Sequence, residues 1–123
     1  MKSQSPHTRE ENATEALRVL NQKRLHHNGK EKIGLVVQGG GMRAVYSMGA
    51  LAALEEMGFG QCFDHVAGSS AGALNGAYFI TGQAGFGVET YVNHLTHRNF
   101  VNPFRVKKVM DIDYLVDHIG KKA

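Results

Sequence analysis

A chain of 123 residues with 42% hydrophobic and 20% charged residues has the make-up of one globular domain, which excludes a collagen-like or disordered polymer. Its formal charge of +3 comes with no nucleic-acid recognition motif, and the lone Cys62 excludes an internal disulfide framework. The N-terminus, Met1 to Asn12, has no apolar leader and no run approaches the roughly 18 apolar residues of a membrane span, so a soluble, cytoplasmic protein is expected.

In chain order, Thr8-Arg9-Glu10-Glu11 has capping-box form, and Ala13, Ala16, Leu17 and Leu20 follow at helical spacing until Asn28-Gly29. This predicts an amphipathic lead-in helix. The apolar, β-branched run Ile33 to Val37 ends at a glycine triplet, as a buried parallel strand does. Ala44 to Met57 is rich in Ala, Leu and Met and stops at Gly58, which predicts a helix with a glycine beyond its last turn. Phe63 to Ala67 is a second short strand, with the small Cys62 buried before it. Ala71 to Ile80 is a second helix lined by small residues. Strand, turn and helix thus occur twice, the pattern of an α/β fold. Thr81 to Gly87 carries three glycines and is expected as a loop. A third helical stripe follows at Val88, Tyr91, Val92 and Leu95. Asn99 to Pro103 breaks it, and Asp111 caps a last short helix bearing Ile112, Leu115, Val116 and Ile119.

Two of the strand-to-helix turns carry the chemistry. Gly68-Ser69-Ser70-Ala71-Gly72 fits G-x-S-x-G, a sharp turn that exposes a serine hydroxyl, and only Ser70 satisfies the spacing. Glycine at Gly68 and Gly72 lets the backbone turn tightly, and a helix opening at Ser70 aims N–H groups at an oxyanion formed there. The turn Gln38-Gly39-Gly40-Gly41-Met42-Arg43-Ala44 is a structural glycine turn on the plainest reading. As a functional element, the N–H groups of Gly39, Gly40 and Gly41 converge on the oxygen of a tetrahedral intermediate, with positive potential from Arg43. Dinucleotide binding would need glycine at Ala44, and no P-loop lysine follows.

Gly39 to Arg43 followed by Gly68 to Gly72 resembles the paired signature of the patatin-like phospholipase family, strongly over residues 32–80. The resemblance implies a three-layer α/β fold with a mostly parallel sheet, of which this chain holds the N-terminal part. Residues 1–31 are then a lead-in helix and linker, and residues 32–123 the front of a catalytic domain cut short. It also implies a carboxylic ester hydrolase of phospholipase or lysophospholipase type, working by a Ser-Asp dyad without metal or cofactor. Ser70 is then the nucleophile, Gly39, Gly40, Gly41 and Arg43 bind the oxyanion, and Gly68, Ser69, Ala71 and Gly72 shape the elbow.

The family's aspartate lies in a D-G-G or D-G-A turn, and none of Asp64, Asp111, Asp113 and Asp117 is followed by glycine. The dyad's Asp is therefore missing from this chain. A serine without a base is a poor nucleophile, so the alternative is an inactive remnant or a lipid-binding module on the same scaffold. A triad of Ser70, Asp111 or Asp113, and His118 has the right chain order. His94 and His97 have helical spacing for a metal but no third ligand. Arg98 to Lys108 mixes Phe100, Val101 and Phe104 with Arg98, Arg105, Lys107 and Lys108, as a peripheral membrane contact would; core phenylalanines beside surface lysines explain it equally. The expected partner is a lipid or other acyl ester, and nucleic acid is not expected. The sequence is silent on oligomeric state.

Overall fold

The computed structural model describes residues 8–26 and 30–95. Helix α1 (Arg9–His26) leads into strand β1 (Gly34–Val37), a 3-10 turn (Gly41–Ala44) and helix α2 (Val45–Glu56). Strand β2 (His65–Gly68) is followed by helix α3 (Ala71–Ile80), helix α4 (Ala84–Glu89) and a π-helical turn (Thr90–Leu95). The expected breaker at 99–103, the last helix, the aromatic and basic segment, His97 and the triad's Asp111, Asp113 and His118 lie outside the described residues.

The capping box forms as read: the Thr8 amide donates to Glu11 Oε2 at 2.8 Å and the Glu11 amide to Thr8 Oγ1 at 3.3 Å. The inward face of α1 is not the stripe read from the sequence, because Leu17 is 61% exposed while Val19 and Lys23 are buried. An ion pair decides the orientation. Lys23 Nζ bonds Asp64 Oδ2, and the same carboxylate accepts the Ile33 amide at 2.8 Å and Lys32 Nζ at 3.1 Å. Asp64 thus ties the starts of both strands to α1, and these donors hold its carboxyl far below the usual range.

The strands pair in parallel, with Gly34 opposite His65 and Val37 opposite Gly68. This is the α/β class expected, with α3 on the sheet face that carries Leu35, Val37 and Val66 and α2 packed against α3 and α4. On the other face Val36 is 81% exposed. Helix α3 approaches both strands through Gly76, where an added Cβ would lie 3.1 Å from Val66 Cγ1 and 4.0 Å from Val37 Cγ2. The core gathers Val37, Ala44, Met48, Leu51, Phe79, Ala84, Tyr91 and Leu95. Phe79 and Met48 are fully buried, each stabilising the fold by about 1.5–3 kcal/mol relative to exposure. Phe63 meets Phe79 edge-on at 5.8 Å.

Helices α2 and α3 end alike. The Phe59 amide reaches back to Leu54 O at 2.8 Å across Gly58, and the Gln83 amide to Tyr78 O at 2.8 Å across Gly82. Both glycines have positive φ, +81° and +69°, as this helix-ending motif requires. Gly82 is therefore a helix stop, and the expected loop is shorter than read. The chain is helical again from Ala84, whose amide is capped by Glu55 Oε2 at 3.1 Å. Gly87 belongs to α4, where Met48 Sδ and Tyr78 pack against its backbone.

Candidate active site

The register sets the site. Because Val37 pairs with Gly68, the turns that follow the two strands leave the same end of the sheet side by side. The carboxyl end of a parallel sheet is where α/β folds bind ligands.

Ser70 sits between β2 and α3 with φ +51° and ψ −129°, the one non-glycine residue with positive φ among those described. These angles match the first central position of a type II′ turn, which favours glycine. A side chain held there costs about 1–3 kcal/mol. The neighbouring backbone enforces the conformation: the Gly72 amide donates to Ser69 O and the Ala73 amide to Ser70 O, both at 2.9 Å. Ser70 itself is exposed.

Three glycines make the approach possible. An added Cβ at Gly68 would lie 2.5 Å from Gly72 O and 2.7 Å from the Ala73 nitrogen. At Gly72 it would collide with Val37 O and come within 2.7 Å of the Gln38 carbonyl carbon. A Cβ on Gly39 would lie 2.5 Å from Ser69 O and 3.2 Å from Ser70 Cβ. The glycine turn therefore rests directly on the serine turn. Gly40 and Gly41 take φ values of +150° and +58°, which bend the chain from β1 into the 3-10 turn, closed by the Arg43 amide on Gly40 O at 3.2 Å. Arg43 is exposed. Among the described residues, no acceptor takes the amide hydrogens of Gly39, Gly40 or Ala71.

Chain spacing separates Asp64 from this site. It precedes β2 while Ser70 follows it, so the six residue steps from one to the other, at about 3.3 Å each, place the two on the order of 20 Å apart at opposite ends of the strand. Asp64 is the one aspartate among the described residues, and it braces the fold. Burial raises the Cys62 thiol above its ordinary value, which favours its protonated form. Among the described residues, no group of three or more His, Cys, Asp or Glu could hold a metal ion, and no helix is long and apolar enough to cross a membrane.

One polar cluster behind the turns escaped the sequence reading. Asn75, on α3, is 1% exposed. Its Nδ2 donates to Ala44 O at 2.8 Å and to Ser47 Oγ at 3.0 Å, and its Oδ1 accepts from the Tyr91 hydroxyl at 3.0 Å. Ser47 Oγ in turn donates to Ala44 O at 2.8 Å. Burial, outweighing the bond to Asn75, raises the Tyr91 phenol above its ordinary value, so it remains a neutral donor. The available signal was a lone amide in an otherwise apolar, small-residue helix.

The patatin-like phospholipase family matches residues 35–121, a span that holds both glycine-rich turns. A protein of Escherichia coli (strain K12) named only as uncharacterized protein YjjU is 35% identical over 89 residues, covering 70% of this chain and 25% of that protein. The chain thus spans about a quarter of the length of that relative. No solved structure matches the chain. The family match over residues 35–121, most of the length of the chain, establishes that the chain belongs to the patatin-like phospholipase family.

Proposed function

We propose that the chain carries the nucleophile and oxyanion half of a serine acyl-ester hydrolase acting on lipids, of phospholipase or lysophospholipase type. The observation that carries this reading is the direct contact of the Gly39 backbone with a Ser70 held at positive φ. In this proposal Ser70 Oγ attacks the ester carbonyl, forming an O–C bond as its proton passes to a base. The carbonyl π electrons move onto oxygen, and the N–H groups of Gly39, Gly40 and Gly41 stabilise the resulting oxyanion, with Arg43 adding positive potential. Collapse expels the alcohol portion, which takes the proton, and leaves an acyl ester on Ser70. Water then releases the fatty acid and restores the hydroxyl. The elbow residues Gly68, Ser69, Ala71 and Gly72 hold Ser70 in place, and the scheme calls for no metal or cofactor.

The base comes from outside the described residues, as the aspartate of the family's dyad. A second reading, a lipid-binding module without catalysis, draws on one observation: Asp64 lies at the wrong end of β2 to serve. A fluorophosphonate that modifies activated serines separates the two. In a longer protein that includes the family's aspartate, covalent labelling at Ser70 with release of fatty acid from phospholipid vesicles is expected of the hydrolase. Vesicle binding with neither labelling nor fatty-acid release would reject it in favour of the module.

A further inference from the structure

We infer that Asn75 is a positioning residue, bracing the glycine turn at a fixed distance from Ser70 through its hydrogen bond to Ala44 O; its catalytic consequence rests on Ser70 being the nucleophile. Ser70 opens α3, and Asn75 lies five residues along the same rigid helix, about 7.5 Å at 1.5 Å per residue. Ala44 closes the 3-10 turn that begins at Gly41. The polar contact thus joins the element that carries the hydroxyl to the one that carries the amides.

Two kinds of contact between these elements act in opposite senses. Backbone packing of Gly39 on Ser69 and Ser70 stops the turns from approaching further but cannot hold them together. The bond from Asn75 Nδ2 to Ala44 O, 2.8 Å long, resists separation and is directional. A carbonyl can only accept, so Nδ2 must face Ala44, which fixes the amide's orientation and leaves Oδ1 to accept from the Tyr91 hydroxyl. Ser47 takes the second amide hydrogen. Three of the amide's hydrogen-bonding sites are therefore used, and no buried side-chain polar atom among the described residues lacks a partner. An apolar side chain could fill the same volume but would leave Ala44 O with a weaker tether.

The test takes the longer protein that includes the family's aspartate and compares it with Asn75→Leu, Tyr91→Phe and, as a control for lost stability, Phe79→Leu, which thins the same core without removing any of the cluster's hydrogen bonds. Amide hydrogen exchange of residues 39–45 is read against that of α3, and fluorophosphonate labelling is split into binding and reaction constants. The brace requires Asn75→Leu to speed exchange in 39–45 relative to α3 and to lower the reaction constant on the order of 100-fold, the cost of misplacing reacting groups by about 1 Å. Tyr91→Phe should do the same about tenfold, with the binding constant unchanged in both and Phe79→Leu showing neither effect. Exchange that rises equally in 39–45 and α3, or rates that fall in Phe79→Leu as they do in Asn75→Leu, would overturn the proposal. If the unaltered protein is not labelled at Ser70, the hydrolase reading fails, and the exchange comparison still decides whether Asn75 braces the turn.

Discussion

Replacing Ser70 by alanine and, separately, by glycine divides the chemistry of the elbow from its strain. Ser70 has φ +51°, and its side chain makes no hydrogen bond among the described residues, so neither change breaks a bond that would confuse the comparison. Alanine keeps the Cβ and hence the strain of about 1–3 kcal/mol, whereas glycine removes it. Glycine also gives the unfolded chain more freedom, which costs about 0.5–1 kcal/mol. The difference leaves Ser70→Gly more stable than Ser70→Ala by about 0.5–2 kcal/mol. At about 4–8 °C per kcal/mol for a domain of this size, the melting temperature should rise by several degrees. Far-UV circular dichroism during urea and thermal unfolding provides the measurement, and both variants should be unreactive towards an activated ester. A glycine variant equal to or less stable than the alanine variant would mean that Ser70 is not strained, and the elbow geometry would fall with it.

Four further outcomes follow from the packing and the charges. Gly68→Ala should lower stability by about 1–3 kcal/mol through overpacking against Gly72 and Ala73, while Gly34→Ala, which meets nothing within 4 Å, should stay close to the parent in the same urea titration. Gly39→Ala places a Cβ 2.5 Å from Ser69 O, about 0.9 Å short of the 3.4 Å of ordinary contact; the labelling rate at Ser70 should fall on the order of 100-fold with vesicle binding retained. Asp64 has a depressed pKa when folded, so its stabilisation is present above the ordinary carboxylate value of about 3.9 and is lost as pH falls below it. Asp64→Asn should therefore be less stable than the parent at pH 7, with the gap closing in acid; a gap independent of pH would show that the ion pairs with Lys23 and Lys32 contribute nothing.

The local devices were legible in the sequence because each depends on residues close in the chain. The capping box at Thr8, the stop at Gly58, the two short strands and the elbow at Ser70 all follow from neighbours a few positions away. What escaped depends on distant partners. Leu17 looked like part of a buried stripe, but α1 turns by the pull of Asp64 on Lys23, 41 residues apart. The glycines at 85 and 87 read as loop, yet α4 forms because Glu55 caps it and Met48 needs a bare backbone to lie against. Asn75 was passed over as one polar residue in a small-residue helix, since its three partners lie 16 to 31 residues away. Within the site, the glycine triplet and G-x-S-x-G could each be read alone; that Gly39 touches Ser70 follows only from the parallel register.

Whether Ser70 is a nucleophile facing an oxyanion turn is decided by treating a longer protein that includes the family's aspartate with a fluorophosphonate and mapping the modified peptide by mass spectrometry, alongside Ser70→Ala. A single adduct on Ser70, absent from the alanine variant, is the predicted result. An adduct on Ser47 or Ser69 instead, or equal labelling of Ser70→Ala, would contradict it.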